Sequence, residues 1–164
     1  MKSEKISRVV VGLLGFIGTA TIAGCASSKS CTLVGCESAV SASYEVPVAQ
    51  ADLEGATVTV CKIAACSSAL VVKEARPIPE PQFLCPYDAA TPITCNVDVA
   101  SPSSAKIAIQ YRVAPTDAHD GDAYTVTIKR ASGDVVFTKN KSASYTTTQP
   151  NGPSCEPTCK QAAL

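Results

Sequence analysis

An all-β fold, a small antiparallel β-sandwich stapled by disulfides, is what this chain predicts, and three observations carry it. Apolar and polar residues alternate with period two in runs rich in β-branched side chains, whereas helical periodicity does not recur. Turn signals separate seven or eight such short runs, which favours a sandwich over a βαβ arrangement. Nine cysteines stand in 164 residues, and eight of them fall into four close couples.

The elements follow in order. Residues 41–46 alternate around Ala42 and Tyr44 and end at Pro47. Residues 57–61 place Val58 and Val60 on one face and Thr57 and Thr59 on the other, and residues 69–73 read as the hairpin partner. Cys61 and Cys66 then sit at the two stems of a tight turn, where a bridge pins the register. The run Arg76-Pro77-Ile78-Pro79-Glu80-Pro81 lacks ladder donors and reads as an extended edge or crossing. Residues 85–104, with Pro86, Pro92 and Pro102, read as a loop tied by Cys85 and Cys95. A strand resumes over 105–113, where Ile107, Ile109 and Tyr111 share one face and Lys106, Gln110 and Arg112 the other. Residues 124–130 and 135–139 flank Ala131-Ser132-Gly133-Asp134 and form a hairpin with a glycine turn. A last strand is expected over 142–147, before Pro150-Asn151-Gly152-Pro153 opens a tail tied by the final cysteine couple.

The N-terminus belongs to another category. Lys2, Lys5 and Arg8 precede an apolar run over 9–23 that ends in Ile22-Ala23-Gly24-Cys25. A membrane-spanning helix needs about 20 apolar residues, whereas a secretory apolar region needs roughly 7–15. The segment resembles bacterial lipoprotein signal peptides, whose lipobox is an aliphatic residue, a small residue, Gly or Ala, then Cys; all four positions match. The resemblance implies cleavage before Cys25 and diacylglyceryl attachment to its thiol, with a further acyl chain often added to the new amino group. Two or three chains hold a protein to a bilayer where one does not. Ala26 stands where many inner-membrane-retained lipoproteins carry Asp, which points to the Gram-negative outer membrane, facing periplasm or cell surface. The expected organisation is a signal peptide over 1–24, an anchor and tether over 25–36, a sandwich over 37–149 and the tail over 150–164.

Removing residues 1–24 takes three basic residues and one acidic residue from the 14 of each, leaving a mature formal net charge of −2. No basic block survives, so nucleic acid is not an expected partner. With Cys25 set aside, Cys31, Cys36, Cys61, Cys66, Cys85, Cys95, Cys155 and Cys159 form an even set, which in an oxidising compartment should make four disulfides. Eight cysteines allow 105 connectivities. Their short separations point to 31–36, 61–66, 85–95 and 155–159, each worth about 2–3 kcal/mol by loop entropy, against nearer 5 for a bridge joining the two chain ends. The spacings do not match zinc couples, and the chain has one histidine.

Asp120-Gly121-Asp122-Ala123-Tyr124 before a strand resembles the tyrosine corner of immunoglobulin-like domains, which implies a Tyr124 hydroxyl bonded to upstream backbone. The cysteine usual two residues later is here Val126. Asp117, Asp120 and Asp122 gather carboxylates in one loop and are candidate calcium ligands, although the EF-hand pattern is absent and a solvated turn explains them too. His119 beside them is a candidate proton carrier with no nucleophile tied to it. Cys85-Pro86-Tyr87 resembles the start of a glutaredoxin site, but Asp88 replaces the second cysteine. Asn140-Lys141-Ser142 is a glycosylation sequon, idle in a bacterial lipoprotein.

The strand entering a Cys–Cys hairpin over 58–66 and the Pro-Asn-Gly-Pro-x-Cys-x-Pro-x-Cys tail over 150–159 are similar to small cysteine-containing lipoproteins of myxobacterial type, a resemblance that implies no activity. No catalytic constellation or cofactor motif is present in the sequence. The expectation is therefore a non-enzymatic, membrane-tethered envelope lipoprotein, an interaction or structural module with a protein or glycan partner. A carbohydrate- or calcium-binding module and a small envelope enzyme are the alternatives. The mature chain has no Trp with which to build an aromatic glycan platform.

Overall fold

The computed structural model describes Cys31, residues 34–74 and residues 82–164. The segment expected as a lipobox, 22–25, and the proline run, 76–81, lie outside the described residues. Among the described residues eleven strands run in chain order: β1 (Ala39–Val46), β2 (Thr57–Lys62), β3 (Ala65–Leu70), β4 (Val72–Lys73), β5 (Phe83–Cys85), β6 (Ile93–Ser101), β7 (Ser104–Arg112), β8 (Ala123–Lys129), β9 (Val135–Ser142), β10 (Thr146–Thr148) and β11 (Cys159–Ala163). They form a seven-stranded sheet, β10-β11-β1-β7-β6-β5-β4, and a four-stranded sheet, β3-β2-β8-β9.

Alternation explains how the two sheets close on each other. Val40 and Val46 of β1 and Ile107 and Ile109 of β7 share one buried cluster with Val58 and Val60 of β2 and Tyr124, Val126 and Ile128 of β8. Each of these four strands thus turns one face inward, which is the sandwich the alternation predicts. Burying each such side chain fully contributes about 1.5–3 kcal/mol.

Four expectations need correction. Residues 93–101 are not a loop: Ile93, Cys95 and Val97 are buried on β6, which pairs with β5 on one side and β7 on the other. Pro92 and Pro102 bound this strand without interrupting it, so no ladder donor is lost inside it. The hairpin partner of β2 is Ala65–Leu70 and not 69–73, because Lys62 pairs with Ala65 and Cys61 with Cys66 directly across the turn. The chain then leaves the four-stranded sheet at Val71, whose buried side chain and backbone bonds to Gly55 and Ala56 make a corner into β4 of the other sheet.

The third and fourth corrections concern the ends. The segment expected as a tail carries β11, which runs parallel to β1 in the register Val40 with Ala162. Cys61–Cys66 and Cys85–Cys95 are bridged as expected, but the remaining bridges are Cys31–Cys155 and Cys36–Cys159, not 31–36 and 155–159. Seating β11 beside β1 brings the two terminal cysteine couples together, so each couple is split across the pair of chain ends. The Ser38 hydroxyl, accepting the Lys160 amide at 2.9 Å, ties the same two segments.

Candidate functional site

The chemistry-bearing side chains gather at one pole of the sandwich, where β2 and β7 end and β1, β8 and β11 begin. The β2–β3 hairpin projects there through a two-residue tip, Ile63-Ala64. Such turns favour Gly, Asn or Asp because they require positive φ. Here Ile63, a β-branched residue, takes φ 56° and is 73% exposed. Backbone strain of this kind, of order 1–3 kcal/mol, persists only where neighbours enforce it. The enforcing contacts are the Cys61–Cys66 bridge beneath the tip and the Ile63 amide, which donates to the Ala123 carbonyl at 2.8 Å.

Lys62 completes the brace. Its ammonium pairs with Asp122 Oδ2 at 3.0 Å and donates to the Asp117 backbone carbonyl, and both side chains of the ion pair are largely buried, at 16% and 10% exposure. Asp122 also accepts the His119 amide at 2.9 Å, while Asp120 Oδ1 accepts the Tyr145 amide at 2.6 Å. Burial alone would raise the Asp122 carboxyl; the His119 amide and the Lys62 ammonium outweigh it and hold the group below the usual carboxylate range. The acidic loop is thus a clamp on Lys62 and on the 143–145 segment, whose Ala143 exchanges backbone bonds with Gly121 and Asp122. The three aspartates do not converge as calcium ligands, and no group of three or more metal-ligating side chains occurs among the described residues.

Tyr124, the second residue of β8, is buried, but its hydroxyl meets the Tyr145 hydroxyl at 2.6 Å and not upstream backbone. Burial, then the bond to Tyr145, pushes the Tyr124 phenol well above its ordinary value, and burial raises Tyr145 as well. This pair replaces the expected tyrosine corner. It joins the start of β8 to the loop before β10.

Two hollows flank the segment 112–114, each of about 450 Å³. One is bordered by Ile63, Ala64 and Tyr111, the other by Ser38, Pro92, Pro157 and the Cys36–Cys159 bridge. Arg112 lines both. Its Nη2 donates to the carbonyls of Asp88 and Thr91 at 2.8 and 2.5 Å, and its guanidinium lies 4.4 Å from the ring centre of Tyr87. Tyr87 is 67% exposed. Asp88 accepts the Ala90 amide and the Thr91 hydroxyl, which fixes the turn that holds Arg112.

The other sequence candidates are dispersed. His119 is exposed, and among the described residues no serine or cysteine is hydrogen-bonded to its ring. Cys85 ends β5, buried and bridged to Cys95, so it presents no thiolate, which removes the glutaredoxin-like reading. Asn140 lies on β9, where its Oδ1 accepts the Thr125 hydroxyl at 2.7 Å. Cys25 lies outside the described residues. Sequence reasoning missed Ile63, Lys62, Arg112 and Tyr145 as site residues; the one legible signal was a tight turn reading Ile-Ala where Gly or Asn belongs. Comparison with protein-family models, with curated proteins and with solved structures finds no match.

Proposed function

We propose that the protein is a lipid-anchored, non-enzymatic module of the bacterial cell envelope, held by Cys25 at the outer membrane and acting through contacts rather than catalysis. The observation that carries the reading is the cysteine pairing. All eight cysteines after the lipobox are consumed in four bridges, and the odd one is the lipobox residue. An oxidising compartment is the setting in which such bridges persist. The braced hairpin and the two hollows supply a rigid surface of the kind an interaction module uses, since pre-organised contacts lose less entropy on binding.

Replacing Cys25 by Ser is the direct test. The wild-type chain should partition into the detergent phase and gain the mass of two or three acyl chains, whereas C25S should remain aqueous and unmodified. Detergent-phase retention of C25S would defeat the anchor.

A further inference from the structure

We infer that the pole bearing the hairpin tip rests on the lipid bilayer itself, with Ile63 and Tyr87 placed at the membrane interface. The inference rests on the lipid-anchor reading and adds to it an orientation and a second point of contact. Between Cys25 and Cys31 lie only five residues, which span roughly 20 Å when extended. Cys31 is bridged to Cys155, four residues before β11 begins, so the chain enters the fold at this pole. A lipid on Cys25 therefore leaves the pole little freedom to face away from the membrane.

The side chains exposed there suit that surface. Ile63 stands 73% exposed on a tip that carries no charge, because the one cation in the turn, Lys62, is withdrawn into its pair with Asp122. Tyr87 is 67% exposed with its ring against Arg112, an aromatic and a cation side by side at the height where membrane proteins concentrate such residues. Arg112 connects the two, lining the hollow that Ile63 borders. A β-branched residue at positive φ is a poor choice for the turn, and apolar contact is what that side chain can supply there.

Charge decides the kind of lipid. Glu37, Asp88, Asp117, Asp120 and Glu156 lie at this pole against the cations Arg112, Lys141 and Lys160, with Lys62 neutralised by Asp122, so the pole keeps an excess of acidic groups. An acidic lipid surface would repel them, so the fitting partner is a zwitterionic bilayer, entered by apolar side chains and not held by attraction to anionic headgroups. Docking should accordingly not weaken with salt.

The absence of Trp makes a clean test. Three single variants of the full-length, lipidated protein, Ile63→Trp, Tyr87→Trp and Leu70→Trp, would be reconstituted into vesicles of phosphatidylcholine and phosphatidylethanolamine. Leu70 is the control, 59% exposed and paired with Thr57 at the far end of the same hairpin. Flotation reads the anchor, and tryptophan emission with and without brominated phosphatidylcholine reads the docking. The expected result is blue-shifted, quenched emission at positions 63 and 87 and unquenched emission at 70. If the vesicles float with protein but position 63 is quenched no more than 70, the docking is overturned and the anchor stands. If the protein does not float, the anchor reading fails and the docking falls with it. Should I63W prove misfolded by thermal melting, Y87W against L70W decides on the same criterion.

Discussion

Cys31–Cys155 and Cys36–Cys159 close loops of 124 and 123 residues, and the two loops interleave over nearly the same stretch of chain, so their contributions to stability should not add. Either bridge alone restrains the unfolded chain by about 5 kcal/mol in the loop-entropy relation. Once one is closed, the other closes only the small ring made by 31–36 and 155–159, worth about 2.5 kcal/mol for a ring of about ten residues. Removing one bridge by a pair of Cys→Ala changes should therefore cost about 2.5 kcal/mol, and removing both about 7.5. The two single removals sum to about 5, leaving a coupling of about 2.5 kcal/mol. Urea unfolding of the mature chain under non-reducing conditions measures these differences, with peptide mapping to verify the pairing in each variant. The local pairing read from the sequence predicts additive losses of about 2 kcal/mol for each couple. Additive losses of any size would refute the pairing of both bridges across the two chain ends.

Two further outcomes follow from the pole and its hairpin. The Asp122 carboxyl is held low in the folded state, so its contribution is present above the unfolded value near pH 4 and lost as pH falls through the lower folded value. Asp122→Asn should then cost about 1–3 kcal/mol at neutral pH, with its melting curve converging on the wild type below about pH 4; a gap that persists at pH 2 contradicts the ion pair. Cys66 is exposed and Cys61 half-buried, whereas each of the other bridges contains a buried cysteine, so a brief dithiothreitol pulse followed by alkylation should label 61 and 66 first. Earlier labelling of Cys85 and Cys95 would mean that the β5–β6 pair opens before the hairpin.

The elements legible in the sequence are those set by local pattern. β2, β7 and β8 alternate cleanly, the glycine turn marks β9 as the hairpin partner of β8, and the bounds of all four fall within a few residues of the pattern. β6 alternates just as well through Ile93, Cys95 and Val97, but prolines at its two borders gave the whole region the look of a loop. The terminal pairings were illegible for a different reason: the partners of Cys31 and Cys36 lie more than a hundred residues away, and nothing local announces that β11 runs beside β1. The acidic loop showed its carboxylates but not their partner, because Lys62 is 55 residues upstream of Asp117. Ile63 broke the turn rule in plain view, and a locally inconsistent residue is where function is expected to override folding preference.

The bridging of both chain ends also has a mechanical meaning. A pull applied to the chain ahead of Cys31 passes through sulfur to Cys155, and through Cys36 to Cys159 at the start of β11. Neither β1 nor β11 can be drawn out of the sheet by such a load alone, because the first bonds in the force path are covalent. A shear that would unzip a hydrogen-bonded terminal strand is instead delivered to the whole loop between Cys36 and Cys159 at once, so the domain should behave under tension as a closed ring and not as a string.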